Sequence, residues 1–162
     1  MIVEIWPAPS APAWRLVTDA VMGGVSHGTI CDEVVGQRRA MRMRGTVSTE
    51  NNGGFIQIAI DLAAEGCCFD AMALTGVDID VLGNGESYGA HLRTTDLIRP
   101  QQSYRQGFAA GPEWHTVRLP FAQFMPHRTD IAFDPGRLKR LGLVAIGREF
   151  TADLSVARLA FY

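Results

Sequence analysis

Period-2 alternation of apolar and polar residues is the feature that most limits what this sequence can become. Ile56, Ile58 and Ile60 alternate with Gln57, Ala59 and Asp61. Val77, Ile79 and Val81 alternate with Asp78 and Asp80, and Tyr88, Ala90 and Leu92 with Gly89, His91 and Arg93. Successive side chains point to opposite faces of a strand, so each run predicts a strand with one buried and one wettable face. Further strands are expected over 13–18, 28–35, 39–45, 103–109, 113–119, 140–147 and 153–161. Turns separate them at Gly23-Gly24, Asn51-Asn52-Gly53-Gly54, Gly83-Asn84-Gly85 and Gly111-Pro112. About ten short strands so spaced predict an all-β, two-sheet sandwich. Helix is expected only as a turn within 61–73 and a loop or short helical turn at 120–126. Pro7, Pro9 and Pro12 make residues 1–12 an extended arm, and 1–162 reads as a single domain without repeat or linker.

Composition narrows the functions. A chain of 162 residues, 47% hydrophobic and 20% charged, needs no disulfide or metal staple. Its net charge is −2, with both signs interspersed, so nucleic acid is not an expected partner. Arginine is used fourteen times and lysine once, at Lys139. Guanidinium forks suit carboxylates and phosphates, although a GC-rich genome produces the same bias. Cys31, Cys67 and Cys68 form neither a disulfide framework nor a zinc spacing and are expected as buried reduced thiols. Residues 1–6 lack the pattern of a secretory signal, and no apolar run approaches the ~20 residues of a membrane helix. A cytoplasmic location without membrane insertion is the expectation.

No Gly-x-Ser-x-Gly elbow, Walker A loop or His-Glu-x-x-His is present. Asp78 and Asp80 share one strand face with no evident opposing wall, so they read as solvating the sheet rather than as an acid–base pair. A non-catalytic binding module without a cofactor is expected.

Two groups of residues are candidates for a site. The first lies between Trp14 and Gly28, where Asp19 and Ser26 flank the Gly23-Gly24 turn. Their side chains can satisfy turn N–H groups, or Asp19 and nearby carbonyls can ligate a hard cation. Whether a metal binds is left open. The second is a sheet face. His91 and Arg93 share one side of their strand, and Trp114, Thr116 and Arg118 one side of theirs. If the two strands lie in one sheet, His91, Arg93, Trp114 and Arg118 line an exposed surface, with Tyr104, Arg105 and Gln57 at its edges. Such a surface suits a sugar ring, a planar ligand or an acidic peptide. Alternatively, Trp114 is a core aromatic and Arg93 pairs with Asp78 or Asp80 across strands. The aromatic segment 119–126 folds back over the core, unless Phe121 or Phe124 is exposed as a docking patch.

An ordered set of residues also carries a family resemblance. It runs through Trp14, Thr18-Asp19, Gly23-Gly24-Val25-Ser26, Gly45, Glu50-Asn51-Asn52-Gly53-Gly54-Phe55, Gly83-Asn84-Gly85, Tyr88 and Leu92-Arg93. It continues through Tyr104, Trp114, Leu119-Pro120-Phe121, Phe124, Leu141-Gly142 and 153–162. In these residues the sequence resembles the complex I intermediate-associated protein 30 family, nearly throughout from Trp14 onward. The resemblance implies a galactose-binding-like jelly roll. It implies an assembly or accessory factor for a respiratory or redox complex, acting through protein contacts, possible partners being subunits of a membrane complex. The compact form resembles bacterial members. A carbohydrate or small-ligand binding domain is the alternative by fold analogy. Family members often carry Ser and Arg shortly after Gly-Gly-Phe, where this chain has Ile56-Gln57-Ile58-Ala59.

Overall fold

Twelve strands form in the computed structural model, which describes all of residues 1–162. They are β1 (Val3–Trp6), β2 (Arg15–Thr18), β3 (His27–Val35), β4 (Arg38–Val47), β5 (Phe55–Asp61) and β6 (Gly76–Leu82). Then come β7 (Ser87–Thr94), β8 (Ser103–Ala109), β9 (His115–Pro120), β10 (Met125–His127), β11 (Leu138–Ile146) and β12 (Phe150–Phe161). All pairings are antiparallel. The first sheet runs β3-β4-β12-β6-β9, with β1 beside the far half of β12, beyond the residues that β4 pairs. The second runs β10-β8-β7-β11-β5-β2. The two sheets face each other as an antiparallel jelly-roll sandwich.

The alternation decides what lies between them. Val77, Ile79, Leu154, Leu159 and Phe161 of the first sheet meet Ile56, Ile58, Ile60, Leu92, Leu141 and Leu143 of the second, all fully buried. Each such side chain contributes roughly 1.5–3 kcal/mol of apolar burial. Tyr88 closes one end of this core. Its hydroxyl donates to Asn84 Oδ1 at 2.6 Å and accepts from the Asp153 N–H at 3.0 Å, while Asn84 Nδ2 donates to the Thr151 carbonyl at 2.9 Å. The Gly83-Asn84-Gly85 turn is thereby tied to β12.

Within the extended segment 1–12, Val3–Trp6 pairs with β12 and Trp6 meets Trp14 edge-on at 6.0 Å. Segment 120–126 is the short helical turn expected, 3₁₀ at Phe121–Gln123, and leads into β10. Phe121 and Phe124 are buried against Phe133, as expected of a segment folded back over the core rather than of a docking patch. Several expectations are corrected. Segment 61–73 contains no helical turn. Asp61 still belongs to β5, Gly66 sits at φ +81, and Phe69 bridges to Leu138 and stacks on Phe161 at 5.1 Å. The three cysteines are exposed rather than buried, Cys31 on edge strand β3 and Cys67-Cys68 in a loop. Asp78 and Asp80 do not solvate the sheet. Both are buried on its outer side beneath long neighbours, Asp78 held by Arg118 (2.7 and 2.8 Å) and Asp80 by Arg38 (3.0 Å) and Thr116 (2.6 Å).

Candidate functional site: a basic groove on the second sheet

The outer face of the second sheet is a groove of about 940 Å³. Its floor follows from the register. One row across the strands is Arg15, Ala59, Gly142, His91, Arg105, and the next is Val17, Gln57, Val144, Gly89, Gly107. Small residues at the centre lower the floor between longer flanking side chains. A Cβ on Gly142 would stand 2.5 Å from Gln57 Oε1, so a larger residue there would displace Gln57.

Two walls bound the groove at opposite ends of the strands. Val21, Met22, Gly53, Gly54 and Gly147 form one, and Ile98, Pro100, Gln101 and Gln102 the other. The first wall is built on Asp19. This carboxylate is fully buried, and both of its oxygens are committed. Oδ1 accepts from the Ser26 N–H at 3.0 Å. Oδ2 accepts from Ser26 Oγ at 2.5 Å, the Gly54 N–H at 2.6 Å and the Phe55 N–H at 3.3 Å. Burial pushes the Asp19 pKa up, but the bonds from Ser26, Gly54 and Phe55 outweigh it and hold the group below its usual value. Glycine is required around it, since a Cβ at Gly53 would lie 2.5 Å from Asp19 Oδ2 and one at Gly24 would also collide. Gly23 supplies the left-handed turn, at φ +83. Asp19, Gly23, Gly24 and Ser26 are therefore one knot that joins the two double-glycine turns.

The second wall hangs on Arg93. Its Nη1 donates to the carbonyls of Arg99 (2.9 Å), Pro100 (3.2 Å) and Gln102 (2.5 Å). Arg93 therefore pairs with neither Asp78 nor Asp80, and the loop it holds borders the groove. Gln102 Oε1 in turn accepts from the N–H groups of Ile98 and Arg99. Beside this wall, Arg105 Nε donates to Ser103 Oγ at 2.8 Å, and His127 and Arg128 follow from β10. Burial first, then Arg105 and His127, push the His91 imidazole down to about 3, so it is neutral at physiological pH. Across the floor, Asp61 accepts from Arg140 (2.9 Å) and Arg15 (3.1 and 3.2 Å). Burial raises the Asp61 pKa, and the two guanidiniums bring it below normal.

Of the expected face, the structure brings together His91, Arg93, Arg105 and Gln57. Trp114 and Arg118 are elsewhere, because β9 pairs with β6 in the first sheet. Trp114, just before β9, donates Nε1–H to the Val35 carbonyl at 2.8 Å under the Arg38 guanidinium. Arg118 holds Asp78 and lies 3.9 Å over the Tyr162 ring. Tyr104 points inward. It is fully buried, with its hydroxyl donating to the Ile131 carbonyl at 2.8 Å and its ring 4.9 Å from Phe133. Arg15, Arg140, His127 and Arg128 are groove residues that the pattern did not single out. Arg15 and Arg140 were findable as the polar members of alternating strands, at two-residue spacing from Val17 and Gly142.

In fold the chain is similar to carbohydrate-binding modules from Clostridium thermocellum. The family 11 module of the cellulosomal cellulase Lic26A-Cel5E superposes with a TM-score of 0.75 at 10% identity, over 99% of this chain and 92% of that one. The family 11 module in complex with a β-1,3-1,4-mixed-linked tetrasaccharide gives 0.72 at 12% identity, over 99% and 94%. The family 30 module of Cel9D-Cel44B gives 0.69 at 12%, over 100% and 97%. At these identities the likeness establishes the sandwich alone. No curated protein matches the chain in sequence. Residues 3–156 match the family described as Complex I intermediate-associated protein 30 (CIA30), and that span includes the Asp19 knot and both groove walls. The chain belongs to the CIA30 family.

Proposed function

We propose that this protein is a non-catalytic binding module, an accessory or assembly factor that holds a protein partner in the groove on its second sheet. The observation that carries this is the lining of the groove: five arginines, two of them paired with Asp61 at its edge, with two histidines, amides and aliphatic side chains between two walls. Such a surface supplies donors and apolar area, the elements of recognition. Family membership supports action through protein contacts on a respiratory or redox complex. No helix is long and apolar enough to cross a membrane, so contact with a membrane complex would be made through the partner's exposed segments.

Affinity capture from native lysate of the source cell tests the reading. A partner retained by the wild type should be lost from a variant carrying Val21→Asp and Met22→Asp in one wall, and kept by Arg44→Ala on the other sheet. Equal retention by all three proteins would remove the groove as the binding surface. A carbohydrate reading is favoured by one observation, the fold shared with modules including one described with a bound tetrasaccharide. Calorimetry with that mixed-linkage tetrasaccharide distinguishes the two, since saturable heat lost in Gln57→Ala would support the sugar.

A further inference from the structure

Ten of the fourteen arginines form ion pairs with carboxylates: Arg15, Arg38, Arg39, Arg42, Arg44, Arg118, Arg137, Arg140, Arg148 and Arg158. The four without such a partner are Arg93, Arg99, Arg105 and Arg128. All four lie on β7, β8, the loop between them and the residue after β10, and Arg93, Arg105 and Arg128 line one side of the groove. Arg93 is consumed by loop carbonyls. Arg105 is half-buried, its Nε is fixed by Ser103, and burial, followed by Arg128, lowers its pKa. A chain that neutralises its other guanidiniums has left these uncompensated in one place.

The facing wall carries no charge. Val21 and Met22 are 75% and 60% exposed, and Val17, Val144 and Ile146 continue the aliphatic surface onto the floor. Beside two imidazoles, the lining has one aromatic ring, Phe55, so no Trp or Tyr ring is offered for stacking a sugar or a nucleobase. An extended polypeptide sends alternate side chains to opposite sides. Laid along the groove between the walls, it would direct one set toward Arg105 and Arg128 and the other toward Val21 and Met22.

The geometry points to an extended segment of a partner protein, in which acidic residues alternate with aliphatic ones, as the occupant of this groove. The inference rests on the groove being the binding face and specifies what it binds. Charge complementarity selects the acidic set, because guanidinium–carboxylate bonds are charge-assisted and directional.

The test uses the full chain and a ten-residue, end-capped, fluorescent peptide alternating Glu and Leu, read by anisotropy. Controls are the matching Lys–Leu peptide, hexagalacturonate and a ten-nucleotide oligothymidine. Saturable binding of the Glu–Leu peptide is expected, weakened by salt and reduced at least tenfold by Arg105→Ala/Arg128→Ala with the circular dichroism spectrum and thermal midpoint retained. Glu–Leu binding no tighter than Lys–Leu, or unchanged in the double variant, overturns the inference, as does tighter binding of the uronate or the oligonucleotide. The lysate capture separates this failure from failure of the groove itself. If Val21→Asp/Met22→Asp abolishes capture while Arg105→Ala/Arg128→Ala does not, the groove stands and its acidic ligand falls; if neither variant matters, both fall.

Discussion

Replacing Asp19 by Asn alters one side chain at the point where four donors meet. The amide does least harm with its oxygen kept toward Ser26 Oγ, Gly54 N–H and Phe55 N–H, which places its NH₂ against the Ser26 N–H. One buried donor is then orphaned, at roughly 1–3 kcal/mol. The three remaining bonds lose their ionic acceptor, and bonds to charged groups are worth about twice neutral ones, so each weakens by about 1 kcal/mol. The expected loss is about 4–6 kcal/mol, or roughly 8–24 °C in thermal midpoint for a domain of this size. Urea unfolding at neutral pH measures it.

The pH dependence supplies a second check on the same substitution. Asp19 is held below its unfolded value of 3.8, so its contribution is complete above 3.8 and disappears as the pH falls through the lowered folded value. The gap between wild type and Asp19→Asn should therefore be full at neutral pH and narrow in acid. A loss below about 1 kcal/mol at neutral pH, or a gap that persists undiminished near pH 2, would refute the account of Asp19 as a charged knot.

Two further outcomes follow from the opposite side of the groove. His91 binds its proton at about 3 when folded and 6.5 when unfolded, so the unfolded chain takes up more protons between those values and stability falls as the pH drops through that window. His91→Gln should remove on the order of 2 kcal/mol of the decline between pH 7 and 5, and urea unfolding that gives the same slope in both proteins would count against it. Arg93→Ala should speed amide hydrogen exchange over residues 96–102 with β11 left protected; unchanged exchange in the loop would show that its anchor lies elsewhere.

Alternation made the strands legible almost throughout. The expected 103–109 coincides with β8, and 56–60, 77–81 and 88–92 each sit within β5, β6 and β7. It also gave the faces within a strand, since Ile56, Ile58 and Ile60 are core while Gln57 and Ala59 line the groove. It cannot give the partner strand. The outward face of β9 looks equivalent whether it joins β7 or β6, and it joins β6, where Asp78 and Asp80 meet Arg118 and Thr116. Those opposite charges at matching spacing were the available signal. Tyr104 misled for a different reason. Its own alternation partner Gln106 is polar yet faces inward, donating to the Pro120 carbonyl at 3.0 Å, which obscured the phase set by Tyr104 and Phe108. The groove walls were illegible because loops 19–24 and 95–102 are positioned by contacts far apart in sequence, Asp19 with Gly54 being 35 residues apart.

The two walls differ in stiffness, with consequences for binding kinetics. The Asp19 wall is fastened from beneath by a buried carboxylate and crowded by glycines that admit no side chain, so it is preorganised and loses little freedom on binding. The other wall is held by one guanidinium reaching three carbonyls and by the Gln102 amide, all near the surface, bonds that water can replace. In the proposed complex the rigid side sets the ligand's register, and the compliant side sets its residence time, because release needs only the outer loop to lift. Changes around Asp19 would then alter what is recognised, and changes around Arg93 how long it is held.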